Sequence, residues 1–134
     1  MVQQVPSRNL PSLAVIPWAM EMKALSTQEP GALGKNLTGA ILGSGGWVLS
    51  RGANEEGQLT LLFEFERRHC LEIYGILVSA GLELSAQAHR LFTDLCQCTM
   101  HRAETCATEI ASVDLEIQTL PADLAEGRHQ HADD

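Results

Sequence analysis

Three of the chain's four cysteines and one of its five histidines fall in eleven residues, "CQCTMHRAETC", Cys96 to Cys106. Thiols and an imidazole this close together suit zinc coordination, nucleophilic catalysis or redox exchange. Zinc needs ligands that converge tetrahedrally on one point. The stretch holds no C-x-x-C pair and matches none of the common zinc spacings. On a helix, Cys96 and Cys98 point about 160° apart, at 100° per residue. Cys106 then falls between them on the apolar side, and His101 points to solvent. On a strand, Cys96 and Cys98 share a face, and a site with His101 becomes feasible. The helical reading is preferred. It makes these thiols core residues that pack as small hydrophobes, with Cys70 meeting Cys96 or Cys106 and no metal bound. The alternative is a thiol- or metal-dependent site built on Cys96, Cys98 and His101.

Other residues with chemistry to offer are fewer. Glu64, Glu66, Asp114 and Glu116 fall on the outward face of two expected strands, where they would hold a cation, dock a basic partner or simply stay solvated. "ILGSGGW", residues 41–47, is glycine-rich, but a strand rather than a helix follows it, and "GALGK" fails the P-loop spacing. His69 and His89 lie near the ends of a helical hairpin and read as polar caps. His129 and His131, with Asp133 and Asp134, sit in a polar tail read as disordered. No serine occupies a G-x-S-x-G turn. Nothing here assembles catalytic machinery or a cofactor site, so a non-enzymatic role is favoured.

The elements that must position these residues follow from periodicity. "QLTLLFEFE" alternates Leu59, Leu61, Phe63 and Phe65 with Thr60, Leu62, Glu64 and Glu66, the pattern of a half-buried strand. With "WVLSR" and the loop "GANEEG" it makes a hairpin over 46–66. "ERRHCLEIYGILVSAGLEL" sweeps an apolar arc of roughly 220° around a helix, with Gly81 placed to cap it. A second helix runs roughly over 85–106 with Ser85 as N-cap, and "ASVDLEIQTLP" is a third strand that ends at Pro121. Residues 1–44 carry four of the five prolines and four glycines, and are read as an irregular arm held at Leu13–Met22, where "SLAVIPWAMEM" docks as an edge strand or as an arm across a neighbour. Residues 45–121 form one α+β domain, and 122–134 the tail. The order β-β-α-α-β implies a two-layer sandwich, a small antiparallel sheet covered by two helices. If "LFTDLCQCT" is a strand instead, 58–120 reads β-α-β-β-α-β. That ferredoxin-like order resembles small-molecule-sensing ACT-type domains.

Composition bounds the function. The chain has 134 residues, 45% apolar and 19% charged, with a formal net charge of −8. So acidic a chain is poorly suited to nucleic acid. Its nearest approach to a basic cluster, Arg67-Arg68, is flanked by Glu64, Glu66 and Glu72. There is no signal-peptide pattern and no membrane-length apolar run, so a cytoplasmic, reducing setting with free thiols is expected. The helix at 70–80 is apolar over too much of its circumference for a two-layer monomer, and Val15, Ile16, Trp18 and Met20 add to the excess. This points to a homodimeric binding or regulatory module. A small apolar or amphipathic ligand would sit among Trp47, Tyr74, Phe92 and the sheet.

Overall fold

The computed structural model describes residues 18–102 and 106–120. They form β1 (Trp18–Ser26), α1 (Pro30–Gly43), β2 (Gly46–Ala53), β3 (Gln58–Glu66), a 3₁₀ turn (Arg67–His69), α2 (Cys70–Ser79), β4 (Glu83–Leu84), α3 (Ala86–His101) and β5 (Ile110–Thr119). The class is α+β: five strands in one sheet, in the order β2-β3-β5-β1-β4, with three helices.

β3 sits between β2 and β5 and is antiparallel to both, with Phe63 opposite Val48 on one side and Val113 on the other. β1 runs parallel to β5, in register from Trp18↔Ala111 to Ser26↔Thr119. The two-residue β4 closes the far edge antiparallel to β1. The sheet is therefore mixed, not purely antiparallel as expected. A parallel neighbour needs a long crossover, and everything between β1 and β5 supplies it.

Every central strand alternates. Met20, Met22 and Ala24 of β1, Leu59 to Phe65 of β3, and Ala111 to Ile117 of β5 are buried at every second position. They join Leu33, Leu37 and Ile41 of α1, Cys70, Ile73 and Leu77 of α2, and Ala88, Phe92 and Leu95 of α3 in one core. The intervening strand residues form a polar opposite face.

Three expectations are corrected here. Residues 18–44, expected to be an irregular arm with at most an edge strand at its start, supply β1, which lies inside the sheet between β5 and β4, and α1. Pro30 opens α1 and Glu29 caps it, its carboxylate accepting from the N–H groups of Gly31 (2.9 Å) and Ala32 (2.8 Å). Proline is well placed in a first turn, because its missing N–H would be unpaired there. Those two bonds hold the Glu29 carboxyl below its ordinary pKa. Second, the core takes in 18–44 together with the residues after 45, so no boundary falls at 44/45. Third, α3 runs through 91–99, so the strand on which the ferredoxin-like alternative depends does not form. The tail 122–134, with His129 and His131, lies outside the described residues, as does Leu13–Pro17.

One glycine fixes how closely helices and sheet approach. A Cβ on Gly46 would lie 2.8 Å from Ile41 Cγ2 and 2.9 Å from the Glu64 carbonyl oxygen. Only a residue without a side chain lets β2 begin directly beneath α1 and α2.

Candidate functional site

Ser85 caps α3 as expected, its hydroxyl accepting from the Ala88 N–H at 3.0 Å. The helix then distributes the cysteine cluster. Cys96 packs against the core, Cys98 is half-buried, and His101 is exposed. Cys106, past the end of α3, is buried with its thiol donating to the Arg102 carbonyl at 3.0 Å. Cys96, Cys98 and His101 do not converge. Among the described residues no group of three or more His, Cys, Asp or Glu side chains is placed to hold a metal ion.

Cys96 instead finds a partner on α2. Its thiol lies close enough to that of Cys70, the first residue of α2, for each to shift the other's ionisation. The neighbouring Cys96 thiol lowers the Cys70 pKa, burial works against it, and the Thr99 hydroxyl and the Arg67 charge add to the lowering while Glu72 opposes it. The net result is a Cys70 pKa of about 7, down from 9. Cys96 is pushed up by its Cys70 neighbour and by burial.

Arg67 lies at the centre of this region. It is 4% exposed. Its Nε donates to Thr99 Oγ1 at 3.2 Å, and its Nη1 pairs with the Glu109 carboxylate at 2.7 Å. The guanidinium lies 5.1 Å from the centre of the Trp18 ring, a cation–π distance. Among the described residues Nη2 has no hydrogen-bond partner. One side chain thus ties the end of β3 to β1, α3 and the approach to β5. The composition reading passes over it as half of the Arg67-Arg68 pair, the chain's nearest approach to a basic cluster. The phase of the strand was the missed signal, because the buried positions 59, 61, 63 and 65 continue to 67.

The three expected ligand-pocket residues do not meet. Tyr74 and Phe92 stack at 5.1 Å between ring centres, and the Tyr74 hydroxyl is 2.6 Å from His89 Nδ1. Phe92 is fully buried and also stacks on Phe65 at 6.4 Å. Trp47 pairs with Glu64 and donates its indole N–H to that carboxylate at 3.1 Å. Glu64 alternates with the buried Phe63 and Phe65, so Trp47 lies across the sheet from the other two.

The acidic face forms as the strand alternation requires. Leu62 stands opposite Asp114 and Thr60 opposite Glu116, which puts Glu64, Glu66, Asp114 and Glu116 on one side. β1 extends this surface with Glu21 beside Asp114 and Lys23 beside Glu116. A hollow of about 390 Å³ opens here, lined by Glu21, Lys23, Asp114 and Glu116 together with Ser85 and Gln87. Gln58 donates its amide to Glu116.

No helix among the described residues is long and apolar enough to cross a membrane. No protein-family model, curated protein or solved structure matches the chain.

Proposed function

We propose that the chain is a small two-layer binding or regulatory module without catalytic machinery, which pairs with a second copy of itself through its helical layer. The carrying observation is the outer face of α2. Leu71 is 65% exposed and Val78 47% exposed, one on each side of the exposed Gly75. Their spacing, i, i+4, i+7, places the three on one stripe. Leu42 adds a further exposed apolar residue near the end of α1, at 57%.

Charge argues for a second copy as the occupant. The exposed residues of α2 are Leu71, Glu72, Gly75, Val78 and Ser79, with a single charge. Glu21, Glu64, Glu66, Asp114 and Glu116 all lie on the opposite side of the sheet. A basic partner would be drawn to that acidic side. A face poor in charge can meet its own copy without like-charge repulsion, and a two-fold contact uses each apolar residue twice. Burying a Leu or Val side chain contributes about 1.5–3 kcal/mol. Small-ligand binding among Trp47, Tyr74 and Phe92 does not belong to this reading, because Trp47 is on the other face and Phe92 is inside the core.

Cysteine cross-linking locates the face. A Cβ at Gly75 meets nothing within 4 Å, so Gly75→Cys is accommodated. Ala19 is exposed on the polar side of the sheet. Under mild oxidation, Gly75→Cys is expected to give a covalent dimer well beyond the unsubstituted chain, and Ala19→Cys is not. Equal cross-linking at the two positions would contradict the helical face as the contact.

A further inference from the structure

We infer that the outer edge of β1 takes up an extended, basic segment of a partner protein as a further strand of the sheet. β1 pairs with β5 along its whole length, from Trp18 to Ser26, but on its other side β4 reaches only Ala24 and Leu25. Among the described residues no strand covers that side from Trp18 to Met22. The direction of the backbone groups follows from two hydrogen bonds. The Leu120 N–H donates to the Ser26 carbonyl on the β5 side, and the Ser85 N–H donates to the Lys23 carbonyl on the β4 side at 3.0 Å. Along a strand these directions alternate, so even-numbered residues of β1 bond towards β5 and odd-numbered ones face outward. Ala19 and Glu21 each present an N–H and a carbonyl to the open edge. Such an edge is a template for another strand.

Charge selects the occupant. The hollow of about 390 Å³ lies along this edge, lined by Glu21 and Met22 of β1 and by Ser85 and Gln87, where the chain leaves β4 for α3. Asp114 and Glu116 of β5 line it too, so three carboxylates stand against one ammonium, that of Lys23. Glu21 and Asp114 are side by side in register. Ala19, Glu21 and Lys23 are exposed, whereas Met20 and Met22 are buried on the core side. An added strand sets every second side chain beside Glu21 and Asp114, and the alternate ones beside Met20 and Met22. The fitting segment therefore alternates lysine or arginine with apolar residues. A second copy of the chain suits this edge poorly. Its formal net charge is −8, and two-fold pairing here would bring Glu21 and Asp114 towards their own equivalents.

A blocked Lys-Val-Lys-Val-Lys peptide, titrated at low salt into the full isotope-labelled chain, tests this by NMR. The amide resonances of Ala19 and Glu21 are expected to shift most, and their hydrogen exchange to slow on binding. Raising the salt to about 0.5 M should weaken binding, because it screens exposed charges. A Glu-Val-Glu-Val-Glu peptide should not bind. Ala19→Pro removes a donor from the open edge and none from the ladder to β5, a position proline tolerates. It should weaken binding about fivefold, the effect of one hydrogen bond. Asp114→Asn leaves every backbone donor in place and should weaken binding about threefold through charge alone. No binding at millimolar peptide, shifts centred on α2 or β2, or undiminished binding by Ala19→Pro would each overturn the assignment. So would Ala19 and Glu21 amides already protected from exchange in the free chain, a result that needs no variant. It would mean that residues before Trp18 or a second copy fill the edge.

Discussion

Phe92→Ala is expected to cost about 3–5 kcal/mol, the range for truncating a fully buried aromatic residue. The ring is 0% exposed and stacks between Phe65 of β3 and Tyr74 of α2, at 6.4 and 5.1 Å. Phe63 continues the series at 6.2 Å from Phe65. Truncation removes the ring that joins α3 to both the sheet and α2. It also leaves a void that helices held by short connections cannot fill by moving. Domains of this size hold only about 5–15 kcal/mol in total, so the variant should be largely unfolded in moderate urea where the parent is folded. Phe92→Leu should lose markedly less. The experiment also separates two roles for the residue. A pocket residue would tolerate truncation and lose only ligand, whereas a core residue takes the fold with it. Equal urea midpoints for Phe92→Ala and the parent would contradict the core role.

Arg67→Ala is expected to cost about 2–4 kcal/mol, and Arg67→Met much less. Two charge-assisted hydrogen bonds, to Thr99 and Glu109, contribute about 1.5–3 kcal/mol each before desolvation is counted. The ring contact with Trp18 adds about 1–2 kcal/mol in a desolvated setting. Against these stands the cost of burying a guanidinium with Nη2 unpaired. Glu109 is 44% exposed on its side chain and returns to water when its partner is removed, so no buried anion is stranded. Methionine keeps the length and the contact with Trp18 and carries no charge to desolvate. The loss from alanine is then mainly one of packing. Chemical denaturation of the two variants reads the difference. Arg67→Met should also slow Cys70 alkylation at neutral pH, since the guanidinium helps to stabilise that thiolate. Loss of stability as large for methionine as for alanine would mean the charge itself holds the site together.

What could be read from the sequence is what alternates cleanly. β3, β5, α2 and α3 each carry an unbroken period of apolar residues, and Gly81 and Ser85 end and begin their helices where capping chemistry places them. Gly81 adopts φ +86°, the left-handed conformation glycine permits. α1 was hidden by its glycines. Gly34, Gly39 and Gly43 look like loop punctuation, yet Leu33, Leu37 and Ile41 recur every four residues and all three are fully buried. A Cβ on Gly34 would meet Arg51 Cδ at 3.3 Å, a close contact that the exposed Arg51 side chain would have to ease. β1 was hidden by composition, because Met, Ala, Glu and Lys are not typical strand residues. Its parallel pairing with β5, distant in sequence, is what makes those residues a strand. Of the site, the dispersal of Cys96, Cys98 and His101 on a helix was legible. The choice of Cys96 rather than Cys106 as the neighbour of Cys70 was not. It depends on how α2 and α3 cross, which no local pattern encodes.

Self-association through α2 is tested most directly by the molar mass of the unmodified chain in solution, followed by sedimentation across a dilution series. A chain of 14.6 kDa is expected to sediment at twice that mass at micromolar concentration. Leu71→Glu with Val78→Glu should return it to the monomer with its circular dichroism unchanged. A parent chain that stays monomeric throughout the series, or a double variant that stays dimeric, would contradict the pairing.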